Sequence, residues 1–226
     1  LLAQLAVGHD AGEGVGRRGH VNFRFPAAGH ALQEKTARAA LIQRSPERLC
    51  REAYGTFAHP AVVPLVQLHH DHFVHELFHG PTLAFKDVAL QLVGRLFDEV
   101  LRARSQRVTI VGATSGDTGS AAIDGVKGCS HVDIVILYPN GRTSEVQRRQ
   151  MTTVNAPNVR VVAVDGTFDD CQDLVKAMFN DAPFRERMGL SAVNSINWAR
   201  VMAQVVYYAV ATDLLRGPID VCVPSG

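Results

Sequence analysis

Three stretches of this sequence hold residue types that can do chemistry at useful spacings. The first is Gly112-Ala113-Thr114-Ser115-Gly116-Asp117-Thr118-Gly119-Ser120, set between a β-branched run and a helical pattern. A helix start offers unpaired backbone N–H groups and the positive end of its dipole to an anion. Gly116 and Gly119 let the backbone come close to a ligand, and Ser115, Thr118 and Ser120 add hydroxyl donors. The lysine that ends a nucleotide P-loop is missing, as is GxGxxG spacing. The pattern therefore suits a small anion better than a nucleotide, although a plain strand-to-helix turn has the same composition.

The second stretch is His79-Gly80-Pro81-Thr82-Leu83-Ala84-Phe85-Lys86-Asp87. A cation at a helix start opposes the dipole, and the apolar approach through Leu83, Ala84 and Phe85 favours a neutral amine, the form that Schiff-base chemistry uses. Taken alone, a lysine here also fits an ordinary solvated surface group. The third stretch is Asn194-Ser195-Ile196-Asn197-Trp198-Ala199-Arg200. Ser195 or Asn197 can cap a helix, and Arg200 in the first turn can bind a phosphate or carboxylate. A histidine group, His69, His70, His72, His75 and His79 with Asp71, falls on a strand pair around a turn. Alternate side chains diverge there, which argues against a metal site.

These residues need elements to position them. Pro46 starts a helix that runs to about Phe57, and Val62–Leu68 and Phe73–Phe78 read as short strands. Phe85–Arg104 has helical apolar spacing. After it, strands at Arg107–Val111, Val132–Tyr138, Val159–Val164 and Ile219–Val223 alternate with helices at Ala121–Val126, Ser144–Thr152, Thr167–Asp181 and Trp198–Arg216. Continuous apolar strands between helices indicate an α/β fold: an open, mainly parallel sheet with helices on both faces. Residues 1–45 lack a clean period and are expected to be irregular, apart from a helix at Leu32–Arg44, so the domain proper is expected over 46–226.

Composition narrows the function. The formal net charge of +1 lacks the basic field that nucleic-acid or polybasic membrane binding needs. No apolar run approaches the ~20 residues of a membrane span. The four cysteines, Cys50, Cys129, Cys171 and Cys222, form no CxxC pair and fit reduced thiols in a cytoplasmic protein. Leu1 at one end, and a strand running into Pro224-Ser225-Gly226 at the other, suggest that both ends are cut.

Together the motifs resemble the threonine synthase family of fold-type-II pyridoxal-phosphate (PLP) enzymes, in its microbial and fungal form. The likeness covers Leu49 to Gly226 and is most specific at His79–Asp87, Ala113–Ser120, Gln147–Thr153 and Asn194–Gln204. It implies that Lys86 carries PLP, with Phe85 and Asp117 beside the cofactor, where related enzymes have Asn in place of Asp117. It implies that Ser115, Gly116, Thr118, Gly119 and Ser120 receive the substrate carboxylate, with Ser195, Asn197 and Arg200 toward the substrate phosphate. Ser225 and Gly226 match the start of the PLP-phosphate loop. The implied reaction is that of a carbon–oxygen lyase acting on phosphate: O-phospho-L-homoserine and water give L-threonine and phosphate. The rivals are a phospho-lyase releasing 2-oxobutyrate and a non-catalytic binding module. The expected partner is the small-molecule substrate, with no nucleic acid, membrane or metal. The chain ends two residues into the phosphate loop, so the piece by itself is expected to bind PLP weakly and turn over little.

Overall fold

The computed structural model describes residues 2–7, 45–192 and 198–223. The expected helix at 32–44 lies outside them, as do Asn194, Ser195, Asn197, Ser225 and Gly226. The described chain builds two four-stranded sheets rather than one. The parallel sheet contains β4 (Val108–Ala113), β5 (Val132–Pro139), β6 (Val159–Val164) and β7 (Leu190–Ala192), in the order β6-β5-β4-β7. The second sheet is antiparallel, with β1 (Leu2–Val7), β2 (Leu65–His69), β3 (His72–Glu76) and β8 (Ile219–Cys222) in the order β2-β3-β1-β8.

This corrects two expectations. Leu2–Val7 are not irregular: they form an inner strand, paired with β3 through Leu2–Ala6 and with β8 through Gln4–Val7. The strands before Lys86 and the final strand belong to that separate sheet, since apolar alternation reports a buried face but not a partner. The α/β class with a mainly parallel site-bearing sheet and covering helices stands.

The helices are α1 (Pro46–Tyr54), α2 (Lys86–Ala103), α3 (Asp117–Val126), α4 (Glu145–Thr152), α5 (Phe168–Asn180), α6 (Ala182–Met188) and α7 (Trp198–Leu215). Four of them start under a side-chain cap, from Ser45, Ser144, Thr167 or Asp181. The parallel sheet is buried on both faces. Ile110, Ile134 and Ile136 pack with Leu90 of α2 and Ala122 and Ile123 of α3. Val111 and Leu137, one residue on in each strand, pack against Cys171 of α5 on the opposite face. The alternation is the period of two that a strand imposes.

α2 and α3 meet at glycines. A Cβ on Gly94 would lie 2.1 Å from the Gly125 carbonyl oxygen, and one on Gly125 would lie 2.5 Å from the Leu90 carbonyl oxygen. Only glycine permits backbones to approach this closely. The crossing sets the start of α2, with Lys86, against the start of α3, with Asp117.

Candidate active site

Unlike the four capped helices, α2 and α3 start without a side-chain cap. Phe85 and Gly116 hold their N-cap positions and neither supplies a cap bond. Both starts face a cavity of about 760 Å³ whose wall includes Lys86, Ser115, Gly116, Asp117, Thr118 and Gln147. It lies at the carboxyl end of β4, where open parallel sheets bind ligands.

The Lys86 side chain is 16% exposed. Its Nζ lies 4.6 Å from the centre of the Phe85 ring and 3.5 Å from Asp117 Oδ2. The amine therefore has an aromatic face on one side, a carboxylate on another and the cavity in front. The loop before it is tied to the first turn of α2 by hydrogen bonds. Asp87 is fully buried, and its two oxygens accept from Thr82 N–H (2.8 Å) and Thr82 Oγ1–H (2.7 Å). Burial pushes the Asp87 carboxyl above its ordinary range, and the bonds from Thr82 oppose that rise. Gly80 is packed so closely on this carboxylate that a Cβ there would lie 2.5 Å from it.

The second wall is the 114–120 loop. Thr114 Oγ1 accepts from Gly116 N–H (3.0 Å) and Gly119 N–H (2.9 Å) and donates to the Gly116 carbonyl (3.1 Å). Those amides are used internally. Asp117 and Thr118, at the first two helical positions, have no intrahelical acceptor for their N–H groups, and both line the cavity. The wall thus offers two backbone donors, the Ser115 and Thr118 hydroxyls and the dipole of α3.

Other predicted residues lie elsewhere. Ser120 is 1% exposed and turns back onto the Gly116 and Asp117 carbonyls. Gly119 packs against Thr114 and Met151. Both support the loop rather than face the cavity. Arg200 is 4% exposed on α7, is not part of the cavity wall, and burial lowers its basicity. The histidines disperse. His75 is buried against the Val63 carbonyl, His79 bonds Glu76 and His70 bonds Asp71. Among the described residues no three metal-ligating side chains converge.

Sequence reasoning missed two contributors to the wall. Gln147 reaches it from α4, and α5 adds Phe168, Gln172, Val175, Lys176 and Phe179. The α5 set has helical spacing in the sequence, so one lined face was readable there. Nothing in the sequence says which cavity that face would meet.

The family profile described as pyridoxal-phosphate dependent enzyme matches residues 59–226. The chain belongs to that family. Lys86 and the 114–120 loop both fall within the matched span. Among curated relatives, threonine synthase of Pseudomonas aeruginosa is 57% identical over 183 residues, covering 80% of this chain and 39% of that protein. The Schizosaccharomyces pombe threonine synthase is 52% identical over 170 residues, covering 72% and 33%. Among solved structures, PLP-bound threonine synthase from Brucella melitensis aligns at 60% identity and TM-score 0.73, over 76% of this chain and 37% of that one. Threonine synthase from yeast aligns at 48% identity and TM-score 0.70, over 80% and 36%. The chain thus spans roughly two-fifths or less of the length of these relatives.

The residues present fit the family's cofactor. A shielded primary amine opens onto a cavity large enough for a substituted pyridine ring, and an acid and an amide stand beside it. No nucleotide-type lysine intrudes on the loop.

Proposed function

We propose that the protein uses PLP bound at Lys86 to convert O-phospho-L-homoserine and water into L-threonine and phosphate. The observation that carries this reading is the placement of the Lys86 amine on the wall it shares with the uncapped start of α3, in a chain 57% identical to a threonine synthase over 183 residues. PLP, when bound, supplies the electron sink for carbanion chemistry at the substrate's α-carbon. The chain's own residues do the rest. The N–H groups of Asp117 and Thr118 and the Ser115 and Thr118 hydroxyls receive the α-carboxylate. Lys86 Nζ, freed when substrate arrives, takes and returns the α-proton. Asp117 stabilises that amine when it is charged, and Phe85 shields one side of it from water. Ser195 and Asn197 remain proposed for the phosphate end of the substrate, and Ser225 and Gly226 for the phosphate of PLP; Arg200, buried away from the cavity wall, is not retained there. The reading carries with it a cytoplasmic enzyme of small molecules, without nucleic-acid or membrane partners.

Assayed alone, the 226-residue chain is proposed to turn over slowly. It spans under half of its relatives' length, and Met202, Val206 and Leu214 of α7 present apolar side chains to solvent, which favours self-association. The test joins two measurements. Borohydride reduction after PLP loading should add the cofactor mass to the peptide containing Lys86. Phosphate release from phosphohomoserine should be matched by threonine. Label on another lysine refutes the cofactor assignment, and 2-oxobutyrate in place of threonine refutes the product assignment. Thr118→Val should raise KM for phosphohomoserine while leaving PLP loading largely intact.

A further inference from the structure

α4 does more than cover the sheet, because two of its glutamines reach the two halves of the site. Gln150 Nε2 donates to the Thr82 carbonyl (3.0 Å), on the loop that Asp87 clamps just before Lys86. Gln147 Nε2 donates to Asp117 Oδ1 (2.5 Å). The other oxygen of that carboxylate faces Lys86 Nζ at 3.5 Å. The Gln147 amide cannot be turned over without loss. The Asp117 carboxylate only accepts, so the nitrogen must be the end that meets it, and the amide oxygen then accepts from the hydroxyl of Ser144, the α4 N-cap, at 2.8 Å. The amide also lies flat on Gly116, where a Cβ would come within 2.4 Å of it.

We infer that Gln147 is a positioning residue for Lys86: the chain Ser144–Gln147–Asp117 holds the Asp117 carboxylate against the lysine amine. Asp117 needs such a hold. Its side chain is 46% exposed, and an exposed carboxylate at this distance gains little from the ion pair alone, because water competes and both side chains lose rotamer freedom. A charge-assisted bond from a fixed amide supplies the missing constraint. Gly116 is part of the same device, since any larger residue would displace the amide. A lysine outside the cavity wall lacks this arrangement: Lys127, just past the end of α3, pairs with Asp124 three residues before it.

The inference deepens the proposed function, but its test needs neither cofactor nor turnover, so failure of one is distinguishable from failure of the other. The protein is exposed to formaldehyde and cyanoborohydride at fixed neutral pH, and methylation is followed by peptide mass at Lys86, with Lys127, outside the cavity wall, as the internal reference. An amine held against a carboxylate must leave that contact before it can react with formaldehyde. Asp117→Asn should therefore speed labelling of Lys86 several-fold relative to the reference. Gln147→Leu should speed it in the same direction by a smaller factor, and Ser144→Ala by less again. The double variant Gln147→Leu, Asp117→Asn should match Asp117→Asn alone, because Gln147 acts only through Asp117. Should Gln147→Leu melt before it can be assayed, Gln147→Met keeps the length of the side chain without the donor. Unchanged Lys86 labelling in a folded Gln147 variant overturns the inference. So does an effect of full size in the Asp117→Asn background, or an acceleration shared equally by Lys127, which would mark general loosening.

Discussion

Thr114 holds the loop at the start of α3 from beneath, with one hydroxyl serving two amides and a carbonyl at 3% exposure. Thr114→Val keeps the shape and removes all three bonds. The Gly119 N–H keeps the Gly116 carbonyl at 3.1 Å, so the Gly116 amide is the one that loses its partner. A buried amide left unpaired costs roughly 1–3 kcal/mol, so the melting temperature should fall by a few degrees and KM for the proposed substrate should rise. An unchanged melting curve would mean that water replaces the hydroxyl. Leu83 shows the opposite situation. It takes φ +62° in the turn closed by its own N–H to the Gly80 carbonyl, yet its side chain is 64% exposed and packs little. A left-handed leucine costs about 1–2 kcal/mol. Leu83→Asn should therefore raise the melting temperature slightly; a drop would show that Leu83 meets something its exposure hides. Residue types singled out Lys86 and Ser115–Thr118, as a misplaced cation and a glycine-hydroxyl loop, but types alone left Lys86 open as a surface group, and only the family resemblance tied it to a cofactor. Gln147 was not legible, since its role rests on a bond to Asp117, thirty residues earlier in the chain. Ser120 misled for a related reason: a hydroxyl one turn into a helix can satisfy its own backbone and never reach a ligand.

The glycine crossing of α2 and α3 governs the site from the level of the elements. Gly94→Ala would put a methyl group against the Gly125 carbonyl, and backbone cannot give way as a side-chain tip can. Overpacking of this kind costs about 1–3 kcal/mol. It should also spread the starts of α2 and α3, so PLP loading at Lys86 should weaken along with the urea midpoint. If the midpoint falls while loading is unchanged, the crossing stabilises the fold but does not position the site. Long periodic elements were readable in advance: the helix expected over Phe85–Arg104 is found at Lys86–Ala103, and the strand at Val159–Val164 matches at both ends. α6 and β7 were not anticipated. They have seven and three residues, too few to display a period, and Gly189 in the left-handed region joins them. The division into two sheets was invisible for another reason. An apolar run says that a strand is covered, and strands of both sheets satisfy that equally.

For the molecule as a whole, balanced charge leaves pH sensitivity to a few buried groups, and His75 is prominent among them. It is 1% exposed, its Nε2 is 2.9 Å from the Val63 carbonyl, and the Tyr207 ring stands edge-on to it. Burial holds its imidazole below the ordinary value, against the pull of the Val63 carbonyl. The unfolded chain takes up this proton as pH falls through about 6.5, while the folded chain does so only at lower pH. His75 therefore leaves stability unchanged above that point and reduces it as pH falls below. Comparing melting temperatures of the parent and His75→Gln between pH 7.5 and 5.5 isolates the effect, because the buried Asp87 is common to both. The parent should lose more with falling pH, and parallel curves would remove His75 as the cause. The place of β1 has a consequence in time. Residues 108–192 contain every strand of the parallel sheet, so that sheet can form from one continuous stretch of chain. The antiparallel sheet cannot, because β1 must wait for β8, more than two hundred residues later. At about 5–20 residues per second of synthesis, β1 spends many seconds without its last neighbour. During that interval the edge that β8 will cover is open to other chains, so this sheet is where a crowded cell would first need a chaperone.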